Sequence, residues 1–335
     1  MRLVLVGFGN LGRGLCEVLA EKRRFLYERF GLRPRVVAVV DDSGAAVDPS
    51  GLDWKLLVSK AAQRAKVASF PRSKSLTAVE VIERVESEVV FELTPTNIRT
   101  GEPGLTHIRR AMKAGRHVIT SNKGPLVVAF QELESLARRC GVEFRYSASV
   151  GGAIPIIELA RKVLCGNEVQ EIQGVLNGTT NYILSRMAEE GVPFSQVLRE
   201  AQELGIAERD PTLDIEGIDT AAKLVILSNA ILGRAVKLDD VKRTGITRIT
   251  PQAMKLAKEA GCTIKLVGVA SRKSIEVAPR LVPQDHPLAV GGTLNAVNFK
   301  LDLAREISIT GFGAGPRETS SALIGDLIDL YRSLS

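Results

Sequence analysis

The run Gly7-Phe8-Gly9-Asn10-Leu11-Gly12 constrains this chain more than any other feature, because it directly follows a strand-like Leu3-Val4-Leu5-Val6 and opens a helical pattern. That is the setting in which a G-x-G-x-x-G run binds a dinucleotide. Gly7 allows the tight turn, Gly9 lets a pyrophosphate approach the backbone, and Gly12 lets helix and strand pack closely, while the helix N-terminus favours the anion. The alternative is a glycine-rich turn with no ligand. Further strand-like runs lie at residues 36–40, 89–93, 117–120 and 143–146, with helical patterns at 15–30, 76–85 and 130–139. Strands alternating with helices predict a Rossmann-type, doubly wound parallel sheet, an α/β dinucleotide-binding domain over residues 1–146.

After Gly151-Gly152 the pattern changes. Helical segments at 156–164, 181–190, 194–204 and 218–232, with strands at 171–176 and 264–270, predict an α+β substrate and dimerisation domain over residues 147–301. A strand at 307–310 then leads through Gly311-Phe312-Gly313-Ala314-Gly315 into a helix at 319–331, so residues 302–335 are expected to return to the first domain. A length of 335 residues suits two such domains.

The formal charge of +7 would suit a polyanion, but the basic residues are interleaved with acids, as in Glu21-Lys22-Arg23-Arg24, and no aromatic platform accompanies them. A nucleic-acid partner is not expected. The cysteines, Cys16, Cys140, Cys165 and Cys262, show no C-x-x-C spacing, which argues against zinc or redox chemistry and predicts reduced core thiols. A strand pattern begins right after Met1-Arg2 and no apolar run reaches about 18 residues, so neither signal peptide nor membrane span is expected, and cytoplasmic residence follows.

The second strand ends at Asp41-Asp42, where a carboxylate suits the ribose hydroxyls of NAD and repels the 2′-phosphate of NADP. Asp41 lies 29 residues beyond Gly12, whereas about 20 is usual, and Lys55, Lys60 or Arg64 could fold back towards a phosphate. The coenzyme choice stays open, with NAD expected to be at least usable. A dehydrogenase also needs a group to exchange the alcohol proton. Of the histidines, His107 and His117 fall in helix and strand patterns and read as structural, which directs attention to lysine. Lys123 stands just past the carboxyl end of a strand, where ligands bind in open α/β sheets. Lys223 follows Asp219 by four residues on one helix face. Taken singly, they also read as a loop lysine and an ordinary ion pair. Upstream, Glu208, Asp210, Asp214, Glu216 and Asp219 crowd five carboxylates into twelve residues. They suit a cation, a helix N-terminus or a substrate ammonium, and their spacing does not separate the three.

Together these motifs resemble homoserine dehydrogenase. The match comprises the glycine loop, Ser121-Asn122-Lys123, Ser149-Val150-Gly151-Gly152-Ala153-Ile154-Pro155-Ile156, Asn177-Gly178-Thr179-Thr180-Asn181-Tyr182, Gly205-Ile206-Ala207-Glu208 with Asp210-Pro211, Gly217-Ile218-Asp219 with Lys223, and Gly311 to Gly315. The resemblance implies a homodimer that reversibly interconverts L-homoserine and L-aspartate 4-semialdehyde with NAD or NADP. It further implies that Lys223 exchanges the proton, tuned by Asp219, and that Lys123 contacts both substrate and nicotinamide. Glu208, Asp214 and Asp219 would hold the amino acid, aided by Gly205 and Thr179, while Gly7 to Gly12, Asp41, Thr94 and Gly315 would line the coenzyme. A sodium ion would sit on the carbonyls of Val150, Gly152 and Ile154, although Ser147 stands where relatives often carry Glu. No regulatory C-terminal domain is expected. The rivals are another Rossmann dehydrogenase of amino or hydroxy acids and a non-enzymatic coenzyme sensor, which would need neither lysine.

Overall fold

The computed structural model describes residues 1–334, and the chain divides into two compact units. The first comprises Met1–Ala153 and the chain from Gly315 onward, the second Ile154–Ala314. Both boundaries differ from the expected 146/147 and 301/302. The later one moves to Gly315 because the strand Glu306–Phe312 pairs along its whole length with Leu294–Leu301 and so stays in the second unit's sheet.

The first unit is built on a six-stranded sheet of order β3-β2-β1-β4-β5-β6, with β1 Arg2–Val6, β2 Arg35–Asp41, β3 Gly44–Val47, β4 Val89–Glu92, β5 His117–Thr120 and β6 Phe144–Arg145. Its strands run parallel except β3, which folds back antiparallel on β2 and was not legible as a strand. Strands wholly buried on both faces read as continuous apolar runs, which is why β1, β2 and β4 were recognisable. The helices are α1 Asn10–Phe30, α2 Trp54–Ala62, α3 Ala78–Arg84, α4 Gly104–Lys113 and α5 Lys123–Cys140. Helix α5 starts seven residues before the expected Phe130, so Lys123 is its first residue, and a non-helical Ala129 breaks it. Asn122 caps it by accepting from the Gly124 amide at 3.0 Å. The core joins Leu3, Leu5, Leu15, Leu19, Val36, Phe91 and the last helix's Leu323, Leu327 and Leu330.

The second unit has a mixed sheet of order β12-β11-β7-β9-β10-β8, with β7 Val169–Val175, β8 Lys242–Arg243, β9 Cys262–Ser271, β10 Ile275–Pro283, β11 Leu294–Leu301 and β12 Glu306–Phe312. All pairings are antiparallel except β8 with β10. Its helices are the short α6 Ile156–Glu158, α7 Gly178–Glu190, α8 Phe194–Glu203, α9 Thr212–Ile215, α10 Ile218–Ile231 and α11 Pro251–Glu259. The last helix, α12 Pro316–Leu334, packs on α1 in the first unit, where Gly14 admits Pro316: a Cβ there would lie 2.9 Å from the proline ring.

Among the described residues no helix is long and apolar enough to cross a membrane, and no group of three or more His, Cys, Asp or Glu side chains is placed to hold a metal. The cysteines are free, but only Cys16 is a core thiol, its pKa pushed up to about 12 by burial. Cys140 and Cys262 are half-buried and Cys165 is exposed, contrary to the expectation of four core thiols.

Candidate active site

The three loop glycines differ in what surrounds them. Gly7 has φ +109°, a conformation other residues rarely adopt, and a Cβ there would lie 2.7 Å from the Leu93 carbonyl oxygen. A Cβ on Gly12 would collide with the Gly7 carbonyl oxygen. Gly9 has nothing within 4 Å of a Cβ, so its free face is open to an approaching ligand. It also N-caps α1, whose first turn carries no acidic residue and whose cap makes no side-chain hydrogen bond. Its amides therefore face an anion unopposed. This loop, with Phe8, Asn10, Leu11, Asp41 and Thr94, lines a cleft of about 790 Å³ in the first unit. A dinucleotide fits such a cradle: two glycines are sterically required and the third leaves space for pyrophosphate.

At the end of β2 the Asp41 carboxylate is tied into its own turn, accepting from the Ser43 amide at 2.8 Å, the Ser43 hydroxyl at 2.5 Å and the Val67 amide at 3.1 Å. Asp42 pairs with Lys66 at 3.2 Å on the surface. The basic side chains lining the cleft are Arg13 and Lys66, not Lys55, Lys60 or Arg64. Lys60 instead donates to the Ser69 carbonyl at 2.8 Å. His107, read from the sequence as structural, also lines the cleft and is 93 % buried. Lys123 is half-buried at the start of α5. Gly315, at φ +125°, opens the return segment, where a Cβ would collide with the Glu318 carboxylate.

In the second unit the chemistry gathers where α7 and α10 begin. Helix α10 is buried from Thr220 to Asn229, and Lys223 is the one charged residue in that stretch. A buried ammonium requires partners. Lys223 Nζ donates to the Leu176 carbonyl at 2.6 Å and pairs with Asp219 at 2.7 Å. Asp219 lies in the first turn of α10, where a negative charge is favoured. Asn177 caps α7 with its side-chain oxygen, accepting from the Thr180 amide at 2.8 Å. Its Nδ2 then donates to Asp214 at 2.6 Å and to Asp219 at 3.0 Å, bridging two carboxylates. Burial and the charge of Asp219 raise the Asp214 pKa, against the hydrogen bond from Asn177 and the charge of Lys223.

The five-carboxylate run thus separates by role. Asp214 and Asp219 join Lys223. Asp210 accepts from the Thr212 amide at 3.1 Å and hydroxyl at 2.6 Å, fixing the turn into α9. Glu208 and Glu216 are exposed. Thr179 donates to the Ile206 carbonyl at 3.1 Å, tying the Gly205 turn to α7. The result is two carboxylates and an amine held at fixed distances, able to bind an ammonium and exchange a proton. The Leu176 carbonyl escaped the sequence reading and Asn177 entered it only as part of a matched motif, although an Asn just before a helical pattern is a typical cap.

A family model described as homoserine dehydrogenase matches residues 155–328, and one described as the homoserine dehydrogenase NAD-binding domain matches 7–147. The homoserine dehydrogenase of Methanocaldococcus jannaschii is 49% identical over 99% of each chain. The chain belongs to the homoserine dehydrogenase family. An NAD(+)-dependent homoserine dehydrogenase of Pseudomonas canavaninivorans is 36% identical, the match covering 99% of this chain and 96% of that one. A solved structure from Archaeoglobus fulgidus, provisionally assigned as a homoserine dehydrogenase, superposes with a TM-score of 0.91 at 44% identity over 99% of each chain. A hyperthermophilic archaeal homoserine dehydrogenase solved in complex with NADPH gives 0.86 at 28% identity, covering 99% of this chain and 98% of that one. As a family member the chain is an NAD(P)-dependent oxidoreductase acting on a CH–OH group, with the Rossmann-type fold expected of it. In homoserine dehydrogenase terms, the first unit carries the matched coenzyme domain, while the other match covers the second unit from residue 155 and runs on to residue 328 in the returning helix α12.

Proposed function

We propose that the chain interconverts L-homoserine and L-aspartate 4-semialdehyde, with Lys223 as the proton-exchanging group. The joined Asp214, Asn177, Asp219 and Lys223 carry this reading: an amine fixed beside carboxylates matches a substrate with an ammonium at one end and a reacting hydroxyl at the other. When bound, the nicotinamide supplies or accepts the hydride. Lys223, anchored by the Leu176 carbonyl, takes the hydroxyl proton during oxidation and returns it during reduction. Asp219 loosens its hold on Lys223 as it turns towards the substrate ammonium, which Glu208 and Asp214 also attract. The Gly205 turn and Thr179 shape the pocket for the amino acid. Lys123 orients substrate and coenzyme.

The coenzyme would lie along Gly7 to Gly12, with Asp41 at its adenosine end and Thr94 and Gly315 along its length. Asp41 and Asp42 make NAD usable, while Arg13 and Lys66 leave NADP admissible. The protein acts as a homodimer in the cytoplasm. For sodium, the carbonyls of Val150, Gly152 and Ile154 would act without a carboxylate at position 147, so exchanging sodium for potassium should alter turnover little. The direct test of function is homoserine-dependent reduction of NAD and of NADP, assayed in parallel at alkaline pH. Activity with other hydroxy amino acids but none with homoserine would overturn the reading.

A further inference from the structure

Behind Thr94 lies Glu92, the last residue of β4 and fully buried, whose carboxylate no part of the mechanism above uses. It accepts from the Thr94 amide at 3.1 Å and from the Thr94 hydroxyl, while the Thr120 hydroxyl shares its one proton between the Glu92 backbone carbonyl at 2.8 Å and the carboxylate at 3.2 Å. Thr120 in turn accepts from the Asn122 amide at 3.0 Å, and Asn122 caps the helix that begins with Lys123. Glu92 therefore holds the coenzyme-cleft residue Thr94 through its carboxylate and, through its backbone carbonyl and carboxylate together, the turn that presents Lys123. The groups bonded to the carboxylate are all neutral donors. Its one ion-pair neighbour is His107, with Nδ1 at 3.7 Å, beyond hydrogen-bond reach, and that nitrogen has no hydrogen-bond partner. No Lys or Arg among the described residues pairs with it. The backbone closes over it too, since a Cβ on Gly104 would lie 3.0 Å from its Oε2.

A buried carboxylate without a cationic partner is costly, by several kcal/mol per ion in a dry interior. In a doubly wound sheet the second nucleotide of a dinucleotide lies past the switch point, over the strand that neighbours β1 on the side away from β2. Here that strand is β4, and Thr94, Pro95, Pro103 and His107 line that end of the cleft. The oxidised nicotinamide ring carries a positive charge and the reduced ring does not. We infer that Glu92 is an electrostatic positioning residue that favours the oxidised coenzyme over the reduced one and thereby biases the bound redox equilibrium towards alcohol-side product release. The inference rests on the coenzyme placement proposed above. Thr94, its hydroxyl proton committed to Glu92 and its oxygen accepting from Asn122 Nδ2 at 3.4 Å, has only acceptor capacity left for the coenzyme.

The test is the ratio of dissociation constants for oxidised and reduced coenzyme, measured by calorimetry on wild type and Glu92→Gln without substrate. Loss of the charge should raise the oxidised-to-reduced ratio at least about fivefold, the scale of one charge acting through partly screened protein. Glu92→Asp, which keeps the charge, should leave the ratio within about twofold, a split that a purely structural role would not produce. An unchanged ratio in folded Glu92→Gln overturns the inference. Should that variant not fold, His107→Lys sets a counter-charge against the same carboxylate and must move the ratio in the same direction, and an unmoved ratio there overturns it equally. Gly9→Ala separates the two claims: if it leaves both dissociation constants untouched, the coenzyme placement itself fails.

Discussion

Lys265, on β9, is 98 % buried, and its Nζ donates only to neutral acceptors, Asn181 Oδ1 at 2.8 Å and Ser185 Oγ at 2.9 Å. Burial pushes its pKa down from 10.5 to about 8, against an upward pull from the charge of Glu189. The rim of the adjoining 240 Å³ cavity also carries Lys258. A base whose folded pKa is depressed binds fewer protons than the unfolded chain between the two values, so stability rises as pH climbs through that window. The gap from 10.5 to about 8 corresponds to about 3 kcal/mol, at about 1.4 kcal/mol for each tenfold in proton affinity. Replacing Lys265 with Met removes the titration and strands two acceptors, a penalty that does not depend on pH. The difference in unfolding free energy between wild type and Lys265→Met should therefore grow in favour of wild type by up to about 3 kcal/mol from pH 8 to pH 10.5. Urea midpoints followed across that range measure it. A difference that stays flat would refute the argument and mean that Lys265 keeps its proton throughout.

Asp214→Asn should stabilise the second unit at pH above the ordinary carboxylate range while raising the KM for homoserine several-fold, because a carboxylate with a raised pKa loses stability as pH rises past its ordinary value. Thermal melts and steady-state kinetics check the two halves. Gly12→Ala should lower both stability and coenzyme affinity, since its Cβ meets the Gly7 carbonyl, whereas Gly9→Ala should melt like wild type and still bind coenzyme at least about tenfold more weakly. Equal melting losses in the two variants would contradict the distinction. Glu208→Gln should weaken homoserine binding with coenzyme affinity intact, as competitive titrations would show.

What the sequence disclosed follows from how each element is buried. β1, β2 and β4 are apolar on both faces and flank the glycine loop, so the coenzyme half was readable from local pattern. β10 reads Ile-Glu-Val-Ala-Pro-Arg-Leu-Val-Pro and β11 buries Asn295 and Asn298, so neither shows a clean alternation, and the second sheet was underestimated. α4 follows a Gly-Pro-rich stretch and carries His107, Arg109, Arg110 and Lys113, so the sequence showed a helical pattern around His107 without giving the helix its bounds. α5 was read late because Pro125 and the break at Ala129 interrupt its first turns. At the site, Lys223 and Asp219 were visible as an i, i+4 pair, but the link from Asp214 through Asn177 spans 37 residues and exists only in the fold. Lys265 looked like one more residue in an apolar strand, and nothing local marks it as a buried amine.

The central claim is that Lys223 moves the proton. Single-turnover oxidation of homoserine by wild type and Lys223→Ala, with coenzyme saturating and its dissociation constant measured separately, tests it directly. The account predicts a fall in the hydride-transfer rate of about a hundredfold or more with coenzyme affinity unchanged within about twofold, the scale of lost general acid–base assistance. A folded variant that keeps more than about a tenth of the wild-type rate would contradict it and shift the role to Lys123.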